Sequence, residues 1–223
     1  MAKQFDSESF GTIYDAFEFF KSKFLKEKKS IFTESPILCE KNLKQIKKHF
    51  IENADATNAS YDEKIKTQLL DNEDVSNEAR ELFAHAVWLW GLFASDMTEN
   101  YKKNDVKKWL SKDSLSDNKN KFKKLFFDHG LGSAGQYHKT NKPVEIAYLM
   151  NFFERVLNAY NNNEAINYID LIKNNEETNF KPYEMQLGNE NPKKASMYNI
   201  LLHLFDPKNH LRAASFSHKE KIV

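Results

Sequence analysis

Glycine and proline are scarce in this chain, six and five among 223 residues, and cysteine occurs once. Few glycines and prolines argue against a loop-rich or collagen-like build and favour long regular elements. A lone cysteine, Cys39, excludes an internal disulfide and fits a reducing cytoplasm. Arginine is nearly absent as well: Arg80, Arg155 and Arg212 are three of 33 basic residues. Arginine is the usual reader of guanine edges, so a lysine surface suits phosphate contact better than base readout. The longest apolar run, Leu82 to Ala94, falls well short of the ~20 residues that cross a bilayer. The first residues, "MAKQFDSESF", lack the apolar stretch of a secretory leader.

What is plentiful is phenylalanine, eighteen residues, within a chain that is 40% hydrophobic. The spacing is helical nearly throughout. Phe10, Ile13, Phe17, Phe20 and Phe24 share one face, as do Leu43, Ile46 and Phe50. "SNEARELFAHAVWLWGLFA" begins amphipathic and becomes apolar on all sides through Trp88 to Trp90, which marks a buried central helix. "TENYKKNDVKKWL" follows, with Tyr101, Val106, Trp109 and Leu110 expected inward. Later helices are expected at "PVEIAYLMNFFERVLNAY", "NNNEAINYIDLIK" and "KKASMYNILLHLF". No run alternates with period two. The expected fold is all-α, a single multi-helix domain with few or no strands. The polar tract 111–120 is its best hinge, dividing an N-terminal half (1–115) from a C-terminal half (116–216). Ser217 and Glu220 have capping-box spacing, so 217–223 reads as the start of a helix that continues past Val223.

Charge is unevenly spread although the total is only +1. Residues 21–50 carry a net +6, residues 51–100 a net −8 and residues 101–124 a net +6. Lys41, Lys44, Lys47, Lys48, Lys102, Lys103, Lys107, Lys108, Lys121, Lys123 and Lys124 are therefore the candidate nucleic-acid contacts. The same lysines read equally well as the wet sides of ordinary helices.

"GLGSAG" at Gly130, Gly132 and Gly135 has the G-x-G-x-x-G spacing of a dinucleotide-binding loop. That motif works only between a buried strand and a helix whose N-terminus faces the pyrophosphate. Here Phe122, Leu125 and Phe126 precede it at helical spacing, and the polar "QYHKTNKP" follows as a linker to a helix starting at Pro143. The loop thus reads as a structural joint of Gly130, Gly132, Gly135 and Tyr137, with glycines at positive φ or at close backbone contacts. Asp128 and His129 beside Tyr137 and His138 form its polar cluster, with the histidines expected at the surface. His203, on an apolar face, reads as a hydrogen-bonded core histidine, and Trp88, Trp90 and Trp109 as core. Paired cysteines, H-E-x-x-H, G-x-x-x-x-G-K-[ST] and G-x-S-x-G are all missing from the sequence. No catalytic residue, metal ligand or cofactor is assigned to this stretch.

Several motifs recur together in one known context. "EARELFAHAVWLWGLF", "GLGSAGQY" (Gly130–Tyr137), "EIAYLMNFF" (Glu145–Phe153), "LLHLFDP" (Leu201–Pro207) and "SHKEKIV" (Ser217–Val223) stand in that order. Over residues 78–223 the chain resembles the region preceding the AAA+ motor of McrB-like NTPases, the bacterial modification-dependent restriction motors of antiviral defence. "LFDPKNHLRAAS" departs from the Phe-Pro-Asp and aromatic-Glu pattern usual there, and the first 70 residues lie outside the resemblance. The resemblance implies Walker motifs beyond Val223 with NTP and Mg bound there, a homo-oligomeric ring and a separate nuclease subunit. It implies cytoplasmic DNA engagement by this stretch, or, alternatively, a helical adaptor contacting the ring, the nuclease or a phage protein. No membrane partner is expected.

The residues themselves generate one prediction. With no phosphate loop, this chain alone is expected not to turn over ATP or GTP above buffer in a phosphate-release assay. Turnover abolished by Gly132→Ala would contradict it.

Overall fold

The structure is a computed structural model that describes residues 8–52, 60–111, 122, 124–176 and 195–214. Lys121 and Lys123, the hinge residues 112–120 and the Ser217–Glu220 box lie outside the described residues. Nine α-helices run in chain order among those described: α1 (Glu8–Phe20), α2 (Glu40–Ile46), α3 (Tyr61–Ile65), α4 (Asn77–Leu92), α5 (Glu99–Lys107), α6 (Gly135–Thr140), α7 (Lys142–Asn161), α8 (Tyr168–Glu176) and α9 (Ser196–Phe205). Pairing of extended backbone among the described residues is limited to two isolated bridges, Lys29 with Pro36 and Ala94 with Gly132. The all-α fold is as the periodicity predicts. None of these helices is long and apolar enough to cross a membrane.

Helix α4 sets the arrangement. Every residue from Glu81 to Leu92 is buried, so α2, α5 and α7 all pack against it. Ser76 starts it by accepting a hydrogen bond from Ala79 N, and the Ser76 hydroxyl is itself held by Gln45 of α2. Helix α1 delivers a ladder of rings to the same core. Phe20 stacks on Phe24 (5.0 Å) and on Trp88 (5.4 Å), and Phe24 meets Phe153 of α7 edge-on (4.8 Å). Phe17 touches Phe205 of α9 (5.0 Å), so residues from both expected halves share one core.

Three local differences from the sequence reading have physical causes. Helices α1, α2 and α3 each end in a π-helical segment, at Lys21–Lys26, Lys47–Glu52 and Lys66–Leu70. Their wider turns show in bonds such as Asp71 N to Lys66 O (2.9 Å). "QYHKT" is not a linker but helix α6, anchored by His138 beneath it. And the chain turns at Lys124–Leu125 and then runs without helix to the glycine loop, with Trp88 Nε1 donating to the Leu125 carbonyl (2.9 Å).

The glycine loop seats itself on the end of α4. Phe93 O accepts from both Leu131 N (2.9 Å) and Gly132 N (3.2 Å), and Ser95 N donates to Gly132 O (2.9 Å). A Cβ on Gly130 would stand 2.3 Å from the Ala94 carbonyl carbon and 2.4 Å from two backbone oxygens. Gly135 has φ +79° in open space.

These contacts rank the glycines. Gly130→Ala is expected to cost about 3 kcal/mol by forcing two backbones apart. Gly135→Ala should cost about 1 kcal/mol from its left-handed backbone. Urea unfolding checks the order, and a Gly130 variant no worse than the Gly135 variant would contradict it.

Candidate functional site

The candidate lysines divide by what holds them. Lys102 is buried against Gly91, and its Nζ donates to Phe127 O and His129 O (both 3.3 Å). Burial pushes this ammonium down to about 8, against the pull of Asp128 and Asp96. It clamps the strand-like approach to the glycine loop and is turned away from any phosphate. Val106, Trp109 and Leu110 face inward as the spacing predicts, but Lys102 and Asp105 are buried beside them while Tyr101 is 51% exposed. Polar partners decide that arrangement. Asp105 Oδ2 accepts from Lys142 Nζ (2.5 Å), and both residues are buried.

Other lysines carry counter-charges. Lys47 Nζ reaches both oxygens of Glu154 (2.9 and 2.8 Å), Lys44 pairs with Glu40 (2.5 Å), and Lys108 lies 3.4 Å from Asp105 and 3.6 Å from Asp62. Lys41, Lys48, Lys107 and Lys124 are exposed and Lys103 is half-buried. Among the described candidates, then, a continuous band of unpaired lysine does not form on α2 and α5 alone.

The loop amides are also spoken for. With Leu131 N and Gly132 N both donating to Phe93 O, those two donors point into the protein and not toward a ligand phosphate. Tyr137 is half-buried in α6. His138, expected at the surface, is fully buried: its ring lies on the Trp90 indole (5.1 Å, 15°), and its Nε2 bonds Trp90 O (3.0 Å). Its Nδ1 lies 3.7 Å from Glu145 Oε2. Glu145, buried in α7, accepts from Ser196 N (2.9 Å) and Met197 N (2.7 Å), and so caps α9 from another helix. His203 is a core histidine as expected, bonded to Tyr14 Oη (2.6 Å) and His210 O (2.8 Å).

One constellation escaped the sequence reading because its members lie some fifty positions apart. Ser30, Glu81 and His85 meet inside the protein, beside Thr33. Their connectivity is not that of a nucleophilic triad. The Ser30 and Thr33 hydroxyls both donate to Glu81 Oε1 (Thr33 at 2.6 Å), and the imidazole does not touch the serine. Ile31 N donates to His85 Nε2 (3.0 Å), so the proton sits on Nδ1, which donates to Glu81 O (2.7 Å). Phe24 and Phe32 cover the ring at 4.5 and 4.6 Å. The group pins the 30–33 turn onto α4.

An open feature lies at the α4–α5 corner. A cleft of about 400 Å³ is lined by Trp90, Asp96, Met97, Thr98, Tyr101 and Lys139. Trp90 forms the floor, stacked on His138 and with the Lys142 ammonium 4.6 Å from its centre, and its Nε1 donates to His138 O (3.3 Å). Thr98 caps α5 by accepting from Tyr101 N (3.2 Å), which fixes the Tyr101 backbone at the rim. Asp96 and Lys139 form an ion pair across the opening, with side chains 32% and 35% exposed.

Burial pushes the His85 imidazole down to about 3 and raises the Glu81 carboxyl. A depressed histidine contributes stability that is complete above its unfolded value near 6.5 and is lost as pH falls toward 3. The raised carboxyl works the other way and partly offsets it. His85→Gln is expected to be destabilised at neutral pH. Its deficit should shrink by roughly 1.4 kcal/mol per pH unit on going from about pH 6 to about pH 5, measured by urea titrations at each pH. A deficit independent of pH would contradict a neutral buried His85.

Compared with protein-family models, curated proteins and solved structures, the chain has no match.

Proposed function

We propose that this chain is a non-catalytic helical adaptor module preceding the motor of a McrB-like restriction NTPase, and that it engages a protein partner through the α4–α5 cleft. The observation that carries the partner reading is Tyr101. It is a large aromatic side chain 51% exposed at the mouth of a cleft floored by Trp90 and Met97, whereas the other Phe, Tyr and Trp side chains described are buried or half-buried. Rigid aromatic anchors beside a preformed apolar pocket are where protein contacts concentrate their binding energy.

Support for the motor context comes from how the resembling motifs meet. "GLGSAGQY" leads into His138, His138 faces Glu145 of "EIAYL", and Glu145 caps the helix that carries "LLHLF". Motifs that stand far apart in sequence thus form one joint, which suits a relay between the body of the module and a motor beyond Val223. NTP, Mg, ring assembly and the nuclease subunit belong to that motor.

A second reading keeps DNA as the partner. It rests on Lys41 and Lys48, two turns apart and exposed on α2 and its π extension, with Lys107 exposed on α5.

The two readings separate in the full-length protein. Tyr101→Ala is expected to weaken assembly with the nuclease subunit or the ring by about 2 kcal/mol, roughly thirtyfold, with an unchanged circular dichroism spectrum. Charge reversal at Lys41, Lys48, Lys103 and Lys107 should leave that assembly intact. Duplex binding tighter than ~10⁻⁶ M that is lost on charge reversal, together with a silent Tyr101→Ala, would replace the adaptor reading with DNA engagement.

A further inference from the structure

We infer that the α4–α5 cleft takes an arginine side chain of the partner protein, which displaces Lys139 from Asp96. The inference rests on the adaptor reading and names the chemistry its contact would use.

The lining divides into parts that suit one kind of side chain. Met97 and the edge of Trp90 offer an apolar bed for an aliphatic stem, Tyr101 offers an exposed ring, and Asp96 offers a carboxylate at the rim. A stem, a flat cation and a carboxylate partner together describe arginine. The cleft already holds a cation of the protein's own, because Lys139 Nζ sits on Asp96. Both members of that pair are about one-third exposed, and such pairs exchange readily.

A guanidinium has two advantages over the resident ammonium. It binds a carboxylate through two parallel N–H···O bonds, and it stacks on an aromatic face. Tyr101 is the ring available for stacking, since it is 51% exposed whereas Trp90 is buried beside His138 and Lys142. Further carboxylates stand at the start of α5. Glu99 and Asp128 flank the first turn of α5, where Asp128 Oδ1 accepts from Glu99 N (3.0 Å). Lys102 lies beneath with its ammonium committed to two carbonyls. An anionic guest is disfavoured by the same groups, because Thr98 and Asp128 already satisfy amides at that helix start.

The test uses Nα-acetyl-arginine-amide as probe, followed by NMR shifts of the Trp90 indole and the Thr98 and Tyr101 amides. Saturable shifts at these three positions are expected. The citrulline analogue, of equal shape but no charge, should produce none, and the lysine analogue should bind more weakly. Lys139→Ala should tighten arginine binding about threefold or more by removing the competitor. Asp96→Asn should abolish it, and Tyr101→Ala should weaken it about fivefold. Any of three results overturns the assignment: no response to the arginine probe in either wild type or Lys139→Ala, equal binding of citrulline, or binding indifferent to Asp96→Asn. Free L-arginine binding far more tightly than the blocked probe would instead mark a metabolite site and overturn the partner assignment. The probe assay involves no macromolecule. Assembly lost in Tyr101→Ala without any arginine response would therefore refute this inference and leave the adaptor reading standing, whereas an arginine response with assembly intact in Tyr101→Ala would overturn the adaptor reading and, with it, the assignment of the arginine to a partner.

Discussion

A helix with no wet side obliges the rest of the chain to enclose it. Helix α4 is that helix, buried from Glu81 to Leu92, and the main packing decisions follow from it. Helices α2, α5 and α7 cover its flanks, the α1 rings reach it through Phe20 and Phe24, and its C-terminal end is closed by the glycine loop lying on Phe93 and Ala94. The closure needs a residue without a side chain where the two backbones touch, and Gly130 supplies it. The nucleotide-loop spacing of "GLGSAG" is thereby accounted for by packing.

Enclosure carries a second demand, since polar groups drawn in with the helix must find partners. Two sets of residues meet most of it, with His138 Nδ1 left without a hydrogen bond 3.7 Å from Glu145. Near the start of α4, Glu81 and His85 satisfy the turn at Ser30–Thr33. Near its end, Asp105, Lys142, Trp90, His138 and Glu145 form a buried seam that finishes at the first amides of α9. The seam ties the floor of the α4–α5 cleft to α9, the last of the described helices.

Elements whose signal is local were legible in the sequence. The all-round apolarity of Trp88–Trp90, the phenylalanine face of α1, the proline opening α7 and the core position of His203 could each be read from neighbouring residues. What was not legible depended on distant partners. On α5 the spacing places Val106, Trp109 and Leu110 correctly but gives no sign that Lys102 replaces Tyr101 inside, because Lys102 looks like a surface lysine until the Phe127 and His129 carbonyls are in view. Helix α6 was read as a polar linker because the ring that holds His138 belongs to α4. The π-helical ends of α1 to α3 leave no sequence mark at all. The cleft is hidden in the sequence for a related reason: helical spacing puts Tyr101 in the core, whereas the fold leaves it 51% exposed at the rim.

The central claim is that the glycine loop is a joint locked to α4 and not a phosphate cradle. Amide hydrogen exchange of Leu131 and Gly132 tests it most directly, because both donate to Phe93 O. The account predicts that these two amides exchange only with global unfolding, as slowly as the amides of α4, and that adding ATP or GTP with Mg leaves their rates unchanged. Fast exchange at both positions, or selective protection on adding nucleotide, would contradict it.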